Sequence, residues 1–436
     1  MKTLIVQVSR GDRPGHGGRL HRLWYHGLTL PYLAALFGRH GDVEIVEEML
    51  DPVPYDTDAD LVALTTMGCG LAHALEVADQ FRRRGKRVVI GGPTASAHPQ
   101  IVAPHVDSLV IGDGEGLIDR LVEDLAGGRL QPVYRHESLL PMVGTPVPRY
   151  DLIKRDRVGL YYPVEATRGC SIGCRFCLTA QLSNRKQRQK PLEDVVRDIR
   201  AIQALGVDRV IFMDDNPTVD RDYFRRLVAA VTPLGIGWMA NATVQAVPDD
   251  EAAATLAAAG CEMLAVGFES VNQESLDAAG KSCFDVKGYS KFIRRLHDHC
   301  IHVTAMMVVG FDHDTPEILD RMLAFLVENK VETAIFHVLT PIAGTPLHDE
   351  MQAQGRMLDL DLSHYSAEEA VFRPAQMTPK ELEQQFWRLY RGFYSLGSIV
   401  RRQVLRRPDR HPLRRLGSIA VNLFMRHQVR SGATPV

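Results

Sequence analysis

The chain has 436 residues, 45% of them hydrophobic and 24% charged, with a formal net charge of −2. That length exceeds one ordinary compact domain and predicts two or three units, while a near-average composition excludes a mainly disordered chain. A charge so close to zero excludes a global field for nucleic acid or another polyanion. No apolar run reaches the roughly 18 residues that span a bilayer, and the opening MKTLIVQVSRGD lacks the length and cleavage site of a signal peptide, so a cytoplasmic location is expected. Seven cysteines, of which only three cluster, argue for reduced thiols over a disulfide framework. Cys69, Cys261, Cys283 and Cys300 read as isolated buried or incidental residues.

From residue 1 to about 130, short β-branched runs alternate with helical patterns, the signature of a doubly wound α/β (Rossmann-like) unit. The predicted strands are Leu4 to Val8, Val43 to Val46, Leu61 to Leu64, Val88 to Ile90 and Ser108 to Ile111. The clearest helix runs from Leu71 to Arg84, with apolar residues three and four apart. Two strand ends are rich in glycine, Gly91-Gly92-Pro93-Thr94 and Gly112-Asp113-Gly114-Glu115-Gly116. Ligands of open α/β sheets sit beyond such ends, where glycine lets backbone approach a bulky group, although the same glycines also shape simple βα turns.

Residues 131–160 hold many prolines (Pro132, Pro141, Pro146, Pro148) and read as a linker. From 161 to 345 the alternation restarts. Strands are expected at Val164 to Thr167, Arg209 to Met213, Gly237 to Ala240, Met263 to Gly267, Val303 to Val309 and Thr333 to Val338. Helices are expected at Leu192 to Leu205, Arg221 to Val231, Asp249 to Ala259 and Glu317 to Asn329. Six βα units form a partial parallel barrel with its site at the C-terminal strand ends.

Behind the first of these strands stands Cys170-Ser-Ile-Gly-Cys174-Arg-Phe-Cys177. Three thiols in eight residues select zinc, copper(I) or iron–sulfur. A structural zinc site normally takes four ligands, and no fourth Cys or His stands at local ligand spacing. Three thiolates on a four-iron cluster leave one iron open, which suits chemistry.

The CxxxCxxC spacing, with Phe176 before the last Cys, resembles the radical S-adenosylmethionine (SAM) superfamily. Thr167-Arg168-Gly169, Asp214-Asp215-Asn216, Gly267-Phe268-Glu269-Ser270, Gly310-Phe311-Asp312-His313-Asp314-Thr315 and the run from Leu339 to Pro346 look like the same family. The resemblance implies a 4Fe-4S cluster on Cys170, Cys174 and Cys177, with SAM chelated at the open iron. It places Asp215 near the SAM amino group, Glu269 and Ser270 near the ribose, Phe176 near the adenine and Lys281 toward the carboxylate, with Asp214 and Gly310 in the same set. Asp214 and Asp215 also suit helix caps, and Glu269 a paired structural acid.

A doubly wound domain ahead of such a barrel resembles the cobalamin-binding branch of the superfamily, close to the group that includes the hopanoid C-2 methylase. The resemblance implies a cobalamin site at Thr65, Met67, Gly91, Gly92, Thr94, Gly112 and Gly114. The branch's DxHxxG motif is missing: Asp12 and His16 stand four apart, and members without the motif bind cobalamin with no histidine below. The activity so implied is a radical C-methylation of an unactivated carbon in a lipophilic or natural-product substrate, with an electron donor such as flavodoxin or ferredoxin. The alternatives are a radical SAM cyclase or rearrangement enzyme, and a non-catalytic iron–sulfur or cobalamin carrier.

Residues 346–436 form a helical C-terminal extension, with Trp387, Tyr390 and Tyr394. From Arg388 onward eleven Arg face one acid, Asp409, among apolar residues. Such a tail fits peripheral contact with an anionic membrane, on the inner face, or a helix packed on the barrel. Nucleic-acid binding has no further support, since the aromatic-rich motifs of RNA modules are missing.

Overall fold

The structure is a computed structural model that describes residues 1–10, 23–281, 284–358, 361–404 and 412–434. Asp12, His16 and Cys283 lie outside these described residues. The chain divides into two compact units, one made of Met1–Ala166, Arg188–Met213 and Asp361–Ser363, the other of Thr167–Gln187, Asp214–Leu360 and His364–Val436.

The first unit holds a parallel sheet of β1 (Lys2–Val8), β2 (Asp42–Glu47), β3 (Leu61–Thr66), β4 (Arg87–Gly91), β5 (Ser108–Ile111) and β6 (Val133–Arg135), in the order β2-β1-β3-β4-β5-β6. All six β3 residues are buried, as both faces of a parallel sheet carry helices and its central strands read as unbroken apolar runs. α1 (Thr29–Phe37) and a helix at Leu117–Ala126 share one core with Ile5, Ala63 and Val89. α2 (Leu71–Arg83) shares the other with Leu4, Val6, Val62 and Leu64. β6 corrects the linker reading: Pro132 precedes the strand, while Val133 to Arg135 pair along β5 and bury Tyr134. Proline is tolerated beside an edge strand because its carbonyl still accepts from the Leu109 N–H at 2.9 Å while no N–H is asked of it. The same unit carries β7 (Tyr162–Val164) parallel to β8 (Arg209–Phe212), with α3 (Leu192–Ala204) between them in sequence.

The second unit carries β9 (Gly237–Ala242), β10 (Cys261–Glu269), β11 (His302–Val309) and β12 (Thr333–Val338), side by side and parallel. Helix α4 (Pro316–Glu328) joins β11 to β12, and α5 (Pro379–Phe393) begins at a capping box. Thr378 Oγ1 accepts from the Glu381 N–H at 3.2 Å, and Glu381 Oε2 accepts from the Thr378 N–H at 2.7 Å. Two buried tyrosines fasten α5 to β12. The Tyr390 hydroxyl accepts from the Phe336 N–H and donates to its carbonyl, and Tyr394 does the same at Ala334.

Beyond α5 lie α6 (Leu396–Ile399), a π-helical turn at Val400–Val404 and α7 (Pro412–Arg430). Arg402 is wholly buried: its guanidinium donates to the carbonyls of Val331, Glu332 and Phe393, to Ser398 Oγ and to Asn422 Oδ1, and stacks 3.6 Å from the Phe393 ring. Part of the basic tail is therefore interior structure. An arginine can be buried among carbonyls when each donor of its fork finds an acceptor.

Candidate active site

Cys170, Cys174 and Cys177 lie in the second unit on a loop held at Arg175, whose N–H donates to the Ala279 carbonyl at 3.0 Å and whose carbonyl accepts from the Leu347 N–H at 3.1 Å. Gly169 takes φ +88, and a Cβ there would stand 2.4 Å from the Lys186 carbonyl oxygen, so only glycine lets the chain turn into the loop. A further turn closes from the Cys177 N–H to the Cys174 carbonyl.

Among the described residues no three His, Cys, Asp or Glu side chains are arranged to hold a single metal ion. The three thiols still sense one another's charge, Cys174 with both of the others. That looser grouping is what a cluster asks of its ligands, with one thiolate for each of three irons. Burial pushes the Cys174 thiol up to about 12 and raises Cys170, while the Lys281 ammonium pulls both down. The positive charge of iron would complete their ionisation.

At the end of β10 the ladder to β11 shifts register between Gly267 and Glu269, and Glu269 takes φ +62. A bulge re-aims a side chain, and a non-glycine residue in this region is held by its surroundings. Here the holding partner is Lys281, whose ammonium stands 2.5 Å from Glu269 Oε1. Both are largely buried. Burial pulls the lysine down, but Glu269 and the Cys174 and Cys177 thiols outweigh it and raise its pKa.

Three of the expected SAM contacts face inward. Asp214 is buried, and its Oδ1 accepts from both the N–H and the hydroxyl of Thr167. Ser270 is buried, and its hydroxyl accepts from the Asn272 N–H. Gly310 donates its N–H to Asp314, and a Cβ on it would meet Leu382 at 2.8 Å. Each of these three has a part in packing or loop geometry. Asp215 remains exposed, accepting from the Gly169 N–H at 2.8 Å and the Thr179 hydroxyl at 3.1 Å. Phe176 is half-buried, 6.0 Å from the Phe311 ring.

In β12, Phe336 packs under α5 against Tyr390 and Phe393, while Thr333, Ile335 and His337 are half-buried on the opposite face. Thr333 meets Thr304 hydroxyl to hydroxyl at 2.6 Å, and Thr304 reaches the Met263 sulfur at 3.1 Å. Register sets Met306 beside Ile335 and Val308 beside His337. The helix-covered face is the drier one, and the opposite face carries His337 half-buried among apolar and hydroxyl-bearing neighbours. Burial lowers the His337 pKa against the opposing pull of Glu269 and Glu368 and keeps the imidazole neutral. Sequence reasoning missed His337, because alternation of burial, not a motif, reveals it.

In the first unit, Met67 at the end of β3 is 71% exposed. Gly92 takes φ +108 with a hypothetical Cβ 3.0 Å from Thr65 Oγ1, and Gly112 takes φ +85 with nothing within 4 Å. Gly91, Gly92 and Gly112 therefore form a rim without side chains, the kind of cradle that a corrin requires. Thr65, Thr94 and Gly114 turn inward: Thr65 is buried, Thr94 Oγ1 accepts from the Gly68 N–H, and a Cβ on Gly114 would meet Ile118 at 2.9 Å.

Residues 164–326 match the model of the Radical SAM superfamily. The chain carries a radical SAM domain. It is a radical SAM enzyme, and the matched stretch takes in the loop of Cys170, Cys174 and Cys177. A bacteriochlorophyllide d C-12(1)-methyltransferase from Chlorobaculum tepidum is 29% identical over 384 residues, covering 86% of this chain and 84% of that protein. The hopanoid C-2 methylase of Rhodopseudomonas palustris is 26% identical over 285 residues, 63% of this chain and 54% of that protein. In fold, the radical SAM methyltransferase TsrM from Kitasatospora setae, solved with cobalamin and a 4Fe-4S cluster, matches with a TM-score of 0.68 at 16% identity, over 94% of this chain and 90% of that one. The α/β architecture of a cobalamin-type domain, a radical SAM domain and a C-terminal extension is thus shared.

Proposed function

We propose that this radical SAM enzyme is a cobalamin-dependent methyltransferase acting on an unactivated carbon of a lipophilic small molecule. The observation that carries the reading is the presence in one chain of a three-thiolate loop and a side-chain-free glycine rim at the strand ends of a separate doubly wound sheet. The named relatives, a bacteriochlorophyllide d methyltransferase and a hopanoid methylase, support it. When bound, the cluster and SAM supply the radical and cobalamin the methyl group. The chain's own residues do the rest: Glu269 and Lys281 hold SAM, Asp215 faces its amino group, and the lining from Met263 to His337 orients an apolar substrate away from water.

Anaerobically reconstituted protein should bind about four irons per chain and lose them, with SAM cleavage, when Cys170, Cys174 and Cys177 become Ala. Cobalamin-loaded enzyme should form S-adenosylhomocysteine as well as 5′-deoxyadenosine. Deoxyadenosine alone would favour the cyclase alternative.

The electron donor we propose is a flavodoxin or ferredoxin. We also place the enzyme at the inner face of an anionic membrane. Leu396, Val400 and Val404 are exposed four residues apart, and Leu416, Leu423 and Phe424 are exposed on α7, with Arg401 and Arg430 exposed among them. No helix among the described residues is long and apolar enough to cross a membrane.

A further inference from the structure

Arg188 stands eleven residues after Cys177 in the chain, in a short stretch that the compact division places in the first unit. Its guanidinium grips Asp113 in the glycine-rich loop after β5. Nη1 donates to Asp113 Oδ2 and, at 2.9 Å, to the Leu140 carbonyl, while Nη2 reaches Asp113 Oδ1 at 3.5 Å. The two side chains are only 13% and 15% exposed, so water and salt screen the pair weakly. Asp113 is flanked by Gly112, whose N–H donates to Ser96 Oγ at 3.1 Å and whose φ of +85 leaves open space above it. Two glycines on either side of Asp113 make this a backbone with little stiffness of its own. The fork also has a buried Nε–H without an acceptor.

We propose that Arg188 and Asp113 are a positioning pair that holds the Gly112–Gly116 loop in the shape that receives the corrin. The pair acts through the loop, and the proposal rests on the cobalamin reading given above. A loop free to sample other conformations would bind only through its competent fraction and would lose affinity by that fraction. Because the pair spans the loop and the segment that leads away from the cysteines, neither residue alone accomplishes the task.

The test is a titration of cobalamin-free, cluster-reconstituted protein with hydroxocobalamin, followed by its visible absorbance, for wild type, Arg188→Gln, Arg188→Lys, Asp113→Asn and the double variant Arg188→Gln/Asp113→Asn. Each of the two neutral single variants should raise Kd about tenfold, the size of one ordinary coupling energy. The double variant should be no worse than either single, and Arg188→Lys, which keeps the charge but loses the fork, should fall between. Iron content and melting temperature should stay at wild-type values. Unchanged affinity in the variants, additive losses, or a Kd that moves only together with a falling melting temperature would each overturn the pairing while leaving the cofactor reading intact. Wild-type protein that takes up no cobalamin would overturn the cofactor reading itself, and the inference with it.

Discussion

Lys281 Nζ stands 2.5 Å from Glu269 Oε1, and Glu269 holds a left-handed backbone at the bulge that ends β10. A lysine so deeply buried keeps its charge because a carboxylate and two cysteine sulfurs surround it. Glu269→Gln removes the partner that stabilises both the cation and the bulge. SAM affinity should fall roughly 10- to 100-fold, since truncating one member of a buried charge pair costs a few kcal/mol. The iron content should hold. Equilibrium dialysis of SAM against the reconstituted variant reads this directly, and an unchanged Kd would remove Glu269 from the SAM site.

Asp314 lies 1% exposed beneath the loop after β11 and accepts from Ser275 Oγ at 2.9 Å, the Gly310 N–H at 2.9 Å and the Phe311 N–H at 3.1 Å. Burial raises its carboxyl to about 6, against the opposing pull of those three donors. The folded state thus keeps a proton that the unfolded chain releases near pH 4. Stability should therefore decline as pH rises through that window and level off above about 6. Between pH 5 and pH 7 the loss is about 1 kcal/mol by linkage. Denaturant unfolding at both values should show that slope in wild type and lose it in Asp314→Asn. Equal slopes would mean that the three donors already keep Asp314 ionised.

Arg402 donates to three backbone carbonyls, one hydroxyl and one amide from wholly inside the second unit. Arg402→Ala removes a donor from each of those acceptors, of which the Glu332 carbonyl keeps the Gln403 and Asn422 side chains, and should destabilise the unit by about 3 kcal/mol or more. Cutting the chain after Ser398 removes the same guanidinium and Asn422, and should yield insoluble or unfolded protein. A soluble truncation with a wild-type melting temperature would contradict the interior role of this tail.

The exposed apolar residues of the extension make a separate prediction. Leu416→Glu together with Phe424→Glu, both on exposed positions of α7, should leave the unfolding free energy within about 0.5 kcal/mol of wild type, as surface changes do. The pair should cut co-sedimentation with phosphatidylglycerol vesicles, which in wild type should itself weaken as salt rises. Equal pelleting of wild type and variant at every salt concentration would sink the membrane placement.

Much of the fold was legible before any coordinates. Ser108 to Ile111 and Thr333 to Val338 are strands to the residue, and the helix at Arg221–Val231 likewise, because buried parallel strands and amphipathic helices write their periods into the sequence. The run after residue 130 was not legible. Proline dominated its local signal, yet Val133 to Arg135 form an edge strand whose existence depends on an open ladder offered by β5. The first barrel strand also stops at Val164, earlier than its apolar run suggests.

For the site, cysteine spacing alone pointed to a cluster loop and with it the class of chemistry, since soft thiolates at three and two intervening residues have few other uses. Which neighbours face a ligand was decided only in three dimensions. Asp214 and Asp215 are adjacent and chemically identical, but one is drawn inward by Thr167 and the other left exposed beside Gly169. Arg402 reads as surface charge until its carbonyl partners from the turn just before β12 and from the end of α5 are in place. His337 gains its meaning from the helix that covers the opposite face of its strand. Sequence carries local period and ligand spacing; the direction of a side chain is set by partners tens or hundreds of residues away.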